Sequence, residues 1–304
     1  MSILDQLPQG SHVAVIRLRS LGDCVLTTPA ISLLKSTRPD LRIGVAVEDR
    51  FADVFEGNPA VSAVLAPHWR AVRAFKPALC VNLHGGSRSQ WMTALSGARW
   101  RAGFAHHSTT LAYNLKIPRA QRILAVNRIV HTAEHMASAF FALGVPVQEV
   151  PRAELFAGNP PLTGKYAVLH PFASAPEKQW PAERFCEAAR YLKLWNVHPV
   201  FLAGPQDDAA PYREHEVFRG SLSQAKALLS KAAAFIGNDS GPAHMAAAFG
   251  VPCLVLFSAS NAAIWGPWRT DSEIVVAPDG MQNLTVSRVI TALERLRALE
   301  EAHA

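Results

Sequence analysis

The chain repeats one pattern: a short, nearly continuous apolar run, then a polar turn, then a segment whose apolar residues recur at helical spacing. Continuous apolar runs are typical of strands buried on both faces of a parallel sheet, with helices as the crossovers. In the first half the pattern predicts strands at Val13–Leu18, Ile43–Val47, Val61–Ala66 and Leu79–Leu83, and helices at Asp23–Ser36 and Ser87–Leu95. In the second half it predicts strands at Tyr166–Pro171, Pro199–Ala203, Ala234–Gly237 and Cys253–Phe257, and helices at Ala182–Trp195, Leu222–Lys231 and His244–Phe249.

The boundary between two domains is predicted in a stretch rich in Pro and Gly, Val150 to Lys165. The chain has 304 residues, enough for two domains of about 150 residues. We therefore expect an α/β protein with two Rossmann-like, doubly wound domains, 1–155 and 156–304, facing across a cleft. The segment Leu284 to Glu301 is predicted to be a terminal amphipathic helix. Such folds bind ligands at the carboxyl ends of their strands.

Composition narrows the class of protein. Hydrophobic residues make up 49% and charged residues 18%, which is typical of a folded globular chain. The N-terminus has no signal-peptide pattern, no apolar run is long enough to span a membrane, and the four cysteines form no CxxC pair. These features predict a cytoplasmic protein with reduced thiols.

Charge is unevenly distributed between the halves. Residues 1–150 hold 16 Lys and Arg against 9 Asp and Glu, whereas residues 151–304 hold 14 against 15. A basic first half is expected to meet an anionic partner, which could be a nucleic acid, a phosphorylated substrate or an acidic membrane surface.

Several familiar patterns are absent or weak. There is no GxGxxG dinucleotide fingerprint and no DxD pair of the kind that binds a metal–nucleotide complex. His131-Thr-Ala-Glu-His135 matches the HxxEH spelling of a zinc protease. The pattern is short, and we interpret it as a solvated helix face.

A carboxylate follows the first predicted strand, in Arg17-Leu-Arg-Ser-Leu-Gly-Asp23-Cys-Val-Leu-Thr-Thr-Pro29-Ala. Asp23 falls at the head of the next helix, where Asp is a favoured N-cap. The same position puts the carboxylate at the carboxyl end of a strand, where it could accept a proton while Arg17 and Arg19 stabilise its charge. Local physics alone favours the helix-capping role of Asp23 and does not decide whether it is also a catalytic base.

A second polar loop follows the first strand of the second half, in His170-Pro-Phe-Ala-Ser174-Ala-Pro-Glu-Lys178-Gln-Trp180-Pro. Ser174 offers a hydroxyl and Lys178 a mobile cation, both suited to phosphate oxygens. The alternative interpretation is an exposed polar loop that binds no phosphate.

The third stretch opens a helix, in Gly237-Asn-Asp239-Ser-Gly241-Pro-Ala-His244-Met-Ala-Ala-Ala-Phe-Gly250-Val-Pro. Asp239 or Ser240 is predicted to cap that helix, and Gly241 permits close approach of an anion to its free N–H groups. His244 alone is best explained as a buried core histidine. Together with Lys178 it favours a pyrophosphate site.

In this order, the three stretches resemble the ADP-heptose:lipopolysaccharide heptosyltransferases, glycosyltransferases of the GT-B fold. The resemblance extends over about residues 13 to 300 and is most specific in the Gly-Asn-Asp-Ser-Gly-Pro-x-His motif. Two positions depart from the family pattern. Arg19 replaces the first Ser of a Ser-Ser pair, and Ser258-Ala-Ser260 replaces Gly-Pro-Thr.

The resemblance implies a role for each matching position. Residues 1–155 would bind the acceptor and 156–304 the nucleotide sugar. Asp23 would be the general base of an inverting transfer of heptose from ADP-heptose to the lipopolysaccharide inner core, with no essential metal or other cofactor. The donor-binding residues would be Ser174, Lys178, Asp239, Ser240, Gly241 and His244. The acceptor-side residues would be Arg17, Arg19 and Ser20.

The resemblance also implies partners and a location: a nucleotide-sugar donor, a phosphorylated glycolipid acceptor and peripheral contact with the inner leaflet of the inner membrane, with no nucleic acid. Three alternatives remain open. They are a nucleotide-sugar 2-epimerase of similar fold, a transferase with a different donor sugar, and a nucleic-acid-binding protein that uses the basic half.

Overall fold

The structure is a computed structural model and describes residues 2–107, 111–258 and 260–303. The chain forms two compact units, Met1–Phe156 and Ala157–Ala304. This division falls one residue after the boundary expected from the Pro- and Gly-rich stretch. Within the described residues each unit contains one six-stranded sheet, so the predicted α/β class with two Rossmann-like folds is confirmed.

The first unit is built on six parallel strands: β1 (His12–Ile16), β2 (Arg42–Ala46), β3 (Ala63–Leu65), β4 (Leu79–Asn82), β5 (Trp100–Phe104) and β6 (Leu115–Ile117). Their order across the sheet is β3-β2-β1-β4-β5-β6. Val13, Val15 and Val81 are completely buried, because helices cover both faces of the central strands. The sequence pattern missed β5 and β6, whose apolar residues are interrupted by Arg101 and Lys116.

Six α-helices accompany this sheet in the described part of the first unit: α1 (Leu21–Val25), α2 (Thr28–Thr37), α3 (Trp69–Ala74), α4 (Ser87–Ala94), α5 (Ala120–Leu124) and α6 (Thr132–Leu143). The single helix predicted over Asp23–Ser36 is wrong, because the chain forms α1 and α2 with Thr27 as the N-cap of the second. Pro29 lies in the first turn of α2. Proline lacks an N–H and fits only the first turn of a helix, so a new helix begins before it.

The second unit repeats the architecture with β7 (Tyr166–His170), β8 (His198–Ala203), β9 (Glu216–Arg219), β10 (Ala234–Asn238), β11 (Cys253–Phe257) and β12 (Ser272–Val276). Their order is β12-β11-β10-β7-β8-β9, again entirely parallel. The edge strands β9 and β12 were not predicted, because charged residues break their apolar pattern, as at Glu216 and Glu273.

Helices of this unit are α7 (Ala182–Leu194), α8 (Leu222–Leu229), α9 (Gly241–Ala248), α10 (Ala262–Trp265) and α11 (Val286–His303). Helix α9 begins three residues before the predicted start at His244, with Ser240 as its N-cap and a proline in its first turn. The terminal helix α11 begins two residues after the predicted Leu284.

Each sheet has one point at which the strand order reverses. In the first unit β1 lies between β2 and β4, and Ile16 pairs with Asn82. In the second unit β7 lies between β8 and β10, and His170 pairs with Gly237. Loops leave such neighbouring strands in opposite directions and open a crevice at their carboxyl ends, which is where α/β sheets bind ligands. Most of the residues of interest follow β1, β4, β7 and β10.

Candidate functional site

Asp23 lies in α1, just beyond the carboxyl end of β1. The prediction that Asp23 caps the helix is wrong: Ser20 is the N-cap, and Asp23 occupies the third helical position. Its Oδ2 accepts hydrogen bonds from the Ser20 backbone N–H at 3.2 Å and from the Ser20 hydroxyl at 3.1 Å. This is the reciprocal arrangement of a capping box, in which the acidic side chain reaches back to the cap.

Arg17 holds the other oxygen of Asp23. Its guanidinium pairs with Asp23 Oδ1, and its Nη1 also donates to the backbone carbonyl of Leu83 at 2.6 Å. Arg17 is 6% exposed, so this ion pair is largely shielded from water. One guanidinium therefore ties the α1 carboxylate to the end of the neighbouring strand β4.

A cavity of about 530 Å³ opens beside Asp23. Its lining consists of Arg17, Arg19, Ser20, Asp23, Arg50, Phe51 and His84. The structure thus gathers Asp23 and all three expected acceptor-side residues around one space. The sequence did not reveal Arg50, Phe51 and His84 as members of the site. The available signal was their position shortly after predicted strands.

His84 is the cavity residue contributed by β4. Its backbone N–H and that of Gly85 both donate to Asn82 Oδ1, each at 3.0 Å. Burial of the ring, followed by the charges of Arg17 and Arg19, lowers the pKa of His84 below its usual 6.5.

Three more histidines pack near this cavity. The ring of His135 stacks on Phe104 with centroids 4.1 Å apart, and His106 lies 4.9 Å from His107 and 5.5 Å from His135. Burial, followed by neighbouring imidazoles, lowers the pKa of His107 and of His135 to about 4. These side chains are neutral at pH 7.

The HxxEH pattern is a helix start rather than a metal site or a solvated face. His131 is the N-cap of α6 and is 7% exposed, and its Nδ1 accepts from the Ala133 N–H at 3.1 Å. Glu134 completes the capping box and pairs with Arg128 at 2.5 Å. Within residues 2–107, 111–258 and 260–303, no group of three His, Cys, Asp or Glu side chains is arranged to hold a metal ion.

In the second unit, Lys178 and Asp239 come together from loops that follow β7 and β10. Lys178 ends a 3₁₀ helix, Pro176–Lys178, and its Nζ lies 3.5 Å from Asp239 Oδ2. The two side chains are 27% and 12% exposed. Ser174 lies exposed in the same loop as Lys178, and within the described residues its side chain makes no hydrogen bond to either member of this pair.

Ser260 is a third member of this cluster. Its hydroxyl donates a short hydrogen bond to Asp239 Oδ2, the same oxygen that faces Lys178. Ser260 follows β11. The loops that follow three neighbouring strands of the sheet, β7, β10 and β11, therefore meet at one carboxylate oxygen. The sequence marked Ser260 only as a departure from a family pattern.

The N-terminus of α9 lies directly after Asp239. Ser240 is the N-cap, Gly241 is the first helical residue, and His244 is 5% exposed in the first turn. The hydroxyls of Ser240 and Ser258 are buried and have no hydrogen-bond partner among the described residues.

Pro242 has no N–H and the Ala243 N–H donates to the Ser240 carbonyl at 3.2 Å, so the expectation of several free N–H groups in the first turn of α9 is wrong. The positive end of α9, the two hydroxyls and the nearby lysine still form an arrangement that suits phosphate oxygens.

Asn238, the last residue of β10, anchors the Lys178 loop to the end of that strand. Asn238 is completely buried, donates to the Pro171 carbonyl at 2.7 Å and accepts from the Trp180 N–H at 3.2 Å. Trp180 is 1% exposed and donates through its indole N–H to the Leu284 carbonyl at 2.8 Å. Both ends of the Lys178 loop are therefore pinned to the core of the second unit.

Comparison with known proteins identifies relatives over most of the chain. A model of the family described as "Glycosyltransferase family 9 (heptosyltransferase)" matches residues 65–289. Lipopolysaccharide heptosyltransferase 3 of Escherichia coli is 26% identical over 307 aligned residues, covering 84% of this chain and 85% of that protein.

Solved structures share the fold. A family 9 glycosyltransferase from Veillonella parvula superposes with a TM-score of 0.82 at 21% identity, covering 94% of this chain and 97% of that one. Escherichia coli heptosyltransferase WaaC, solved with ADP, superposes with a TM-score of 0.78 at 20% identity. The match covers 94% of this chain and 99% of that one. The expected GT-B fold is confirmed by these likenesses.

Proposed function

The chain belongs to glycosyltransferase family 9, the heptosyltransferase family, and on this premise we propose that it is an inverting transferase that moves heptose from ADP-heptose to the lipopolysaccharide inner core. The observation that carries the donor half of this proposal is the cluster of Lys178, Asp239 and Ser260 at the N-terminus of α9. It presents the Lys178 ammonium group beside the N-terminus of α9, at the strand-order reversal where α/β sheets bind nucleotides.

On the donor side, the leaving group is ADP, whose diphosphate gains negative charge as the bond to the sugar C1 breaks. Lys178 and the N-terminus of α9 stabilise that charge, together with the hydroxyls of Ser240 and Ser258. Asp239 holds the ammonium group of Lys178 at 3.5 Å and so directs it. We propose that these groups perform the task that a divalent cation performs at DxD sites, and that no metal is essential.

On the acceptor side, Asp23 removes the proton from the attacking hydroxyl while that oxygen bonds to C1 from the face opposite ADP. The product has inverted configuration, and the proton resides on the carboxyl group. Ser20 and Arg17 hold the two carboxylate oxygens in place, which reduces the reorganisation needed during proton transfer. Arg19 lines the same cavity and provides positive charge for an anionic acceptor.

The surface of the first unit suits a phosphorylated glycolipid at a membrane. The basic charge excess of the chain resides in this unit, and Trp91 and Leu111, which are 67% and 94% exposed, line one apolar groove. We propose peripheral contact with the anionic inner leaflet from the cytoplasmic side, through basic and apolar groups together.

No helix within the described ranges is both long and apolar enough to cross a membrane.

The proposal is tested first by ligand binding. In a thermal-shift panel of ADP, UDP, GDP and short duplex DNA, ADP should raise the Tm most, since binding to the native state stabilises it. A larger shift with UDP would favour an epimerase or a different donor sugar, and a salt-sensitive shift with DNA would favour nucleic-acid binding.

Turnover tests the reaction itself. ADP release should require both ADP-heptose and lipopolysaccharide whose core is truncated before a heptose addition. A series of cores truncated at successive heptoses identifies the acceptor. NMR of the product should show an inverted anomeric configuration, and chelation with EDTA should leave the rate unchanged.

A further inference from the structure

The cavity beside Asp23 carries more positive charge than that carboxylate neutralises. Its lining contains three arginines, Arg17, Arg19 and Arg50, against one carboxylate. Arg17 is buried and is committed to Asp23 and to the Leu83 carbonyl. Arg19 and Arg50 are exposed at the cavity wall. The lining therefore has an excess of positive charge that attracts an anion.

Glu48 and Phe51 hold Arg50 in place. The Nε and Nη2 atoms of Arg50 both donate to Glu48 Oε2, at 3.1 and 2.8 Å. Its guanidinium carbon lies 4.7 Å from the centroid of the Phe51 ring, within the range of a cation–π contact. No described residue accepts a hydrogen bond from Nη1, and the side chain is 65% exposed. One edge of the guanidinium is thus fixed while the N–H groups of Nη1 remain available to a ligand.

Glu48 is itself fixed at the end of β2. Its backbone N–H donates to the Leu18 carbonyl at 3.1 Å, and its side chain is 21% exposed. Its Oε1 lies 3.6 Å from Nη1 of Arg88, which also donates to the Pro67 carbonyl at 2.6 Å. Because two arginines share this carboxylate, Glu48 orients Arg50 without cancelling all of the positive charge around it.

The same ion-pair geometry occurs in the second unit. Arg295 donates through Nε and Nη2 to Glu273 Oε2 at 3.0 and 2.9 Å, and the two side chains are 56% and 20% exposed. Exposed pairs of this kind contribute little to stability. What distinguishes Arg50 from Arg295 is its position in the wall of the cavity that contains Asp23.

We propose that Arg50 is a specificity-determining residue, which binds an anionic oxygen group, a carboxylate or a phosphate, on the acceptor sugar that reacts or on the sugar joined to it. Guanidinium N–H groups form strong, charge-assisted hydrogen bonds with either group. Arg50 and Asp23 line one cavity of about 530 Å³, so the anion lies close to the reacting hydroxyl. This inference rests on the proposed function, in which Asp23 is the base.

A series of acceptors distinguishes the two anions. The starting acceptor is the truncated lipopolysaccharide that supports turnover, dispersed in a nonionic detergent so that no anionic bilayer is present. In one arm its phosphates are removed with hydrofluoric acid, and in the other its carboxyl groups are reduced to alcohols. ADP release with ADP-heptose as the donor gives kcat and KM for each acceptor.

Two matched variants are compared with the unaltered protein. Arg50→Gln removes the charge and keeps a polar side chain, and Arg295→Gln does the same to the corresponding ion pair of the second unit. On the untreated acceptor, Arg50→Gln should lower kcat/KM for the acceptor about 10- to 100-fold. The KM for ADP-heptose should change less than about twofold. Arg295→Gln should behave as the unaltered protein.

The treated acceptors show whether Arg50 meets the anion directly. Removing the anion that Arg50 binds should lower kcat/KM of the unaltered protein by a similar factor. On that acceptor Arg50→Gln should cause no further loss, because the effects of removing two groups in contact are not additive. The arm in which additivity fails identifies the anion as phosphate or carboxylate.

Additive losses in both arms, a normal kcat/KM of Arg50→Gln on the untreated acceptor, or an equal loss in Arg295→Gln would overturn the proposal. So would a loss seen only when the acceptor is embedded in vesicles that contain phosphatidylglycerol, since Arg50 would then meet a membrane surface. If Arg50→Gln does not fold, Arg50→Lys decides by the same comparison, because it keeps the charge and loses the planar fork.

The failure of this inference is distinguishable from failure of the proposed function. Absence of ADP release by the unaltered protein with every truncated lipopolysaccharide would refute the proposed function, and the role of Arg50 would fall with it. Normal release that is insensitive to Arg50→Gln would overturn only the role of Arg50.

Discussion

The two units share a sheet topology but use their strand-order reversals differently. Each places a completely buried asparagine at the end of its fourth strand, Asn82 and Asn238, and each asparagine holds a loop of the site. Each also has an aspartate beside a cation. In the first unit that cation is Arg17, fixed to a backbone carbonyl as well, whereas in the second it is Lys178 at 3.5 Å.

The difference matches the two chemical tasks proposed for these residues. Arg17 and Ser20 together engage both oxygens of Asp23, which suits a carboxylate that must stay in one place to accept a proton. Lys178 has a flexible stem and is 27% exposed, which suits a cation that must meet an incoming phosphate. One architecture thus supports a fixed anion in one unit and an adaptable cation in the other.

The largest expected effect comes from removing the fixed anion. Asp23→Asn keeps an oxygen for the Ser20 N–H but cannot accept the acceptor proton, so the rate should fall on the order of 10²- to 10⁴-fold. The measurement is ADP release under saturating substrates. Because Arg17 is buried and loses its charged partner, the Tm should fall as well.

Ser20→Ala is the matched control for Asp23→Asn, because it removes only the hydroxyl contact and the helix cap. Its cost to stability should be about 1 kcal/mol, with a much smaller loss of rate. If Asp23→Asn turned over as fast as Ser20→Ala, Asp23 would not be the base.

The adaptable cation is tested by Lys178→Ala. Loss of one charge-assisted hydrogen bond should weaken ADP binding about 10- to 100-fold, as measured by calorimetry. Lys193→Ala, at an exposed position in the last turn of α7, serves as the control and should bind ADP normally. Equal affinities of the two variants would place Lys178 outside the donor site.

A smaller effect is expected from Ser260→Ala. Its hydroxyl donates to the Asp239 oxygen that faces Lys178, so removing it should loosen that carboxylate. Loss of one hydrogen bond to a charged group should raise the Kd for ADP several-fold, about 5- to 20-fold. Ser230→Ala, at the end of α8, is a suitable control. An unchanged Kd would show that Lys178 alone orients Asp239.

Acid should distinguish the units by stability. In the first unit burial lowers the pKa of four histidines, His84, His106, His107 and His135, and for the last two the pKa is about 4. In the second unit burial lowers the pKa of two histidines, His170 and His215. Unfolded histidines bind protons below about pH 6.5, so folding stability is present above that pH and is lost between about pH 6.5 and pH 4.

The first unit should therefore unfold first on acidification, its Tm falling on the order of 5 °C further than that of the second unit. Hydrogen exchange at about pH 5 measures protection in the two sheets separately. Greater loss of protection in the second sheet would contradict this expectation.

The fold was predictable to a large extent. Buried strands such as β1, β4, β7 and β11 are continuous apolar runs, and burial on both faces demands that composition. Edge strands such as β6 and β9 were missed, because one face of an edge strand meets solvent and tolerates Lys116 or Glu216. The break between α1 and α2 was missed although Pro29 was visible, since the helical spacing of apolar residues continues across it.

The site was predictable wherever its residues lie in one local stretch. Asp23, Lys178 and Asp239 each follow an apolar run and can be located from the sequence as residues at a strand end. The residues that contact them could not be located from the sequence in this way. Ser20 rather than Asp23 caps α1, because the choice depends on where the helix begins. Ser260 and His84 can be recognised as members of the candidate site only from the loops that lie beside them in the folded chain.

By itself the sequence determined the ends of the buried central strands, the chemistry of the groups placed there and the family to which the chain belongs, because these depend on short runs of neighbouring residues. Only the tertiary structure decided that Arg17 reaches the Leu83 carbonyl, and that Ser260 reaches Asp239. Those contacts join segments far apart in the chain. They arise from the order in which parallel strands pair. That order is set by burial over a whole sheet, and no single sequence motif specifies it.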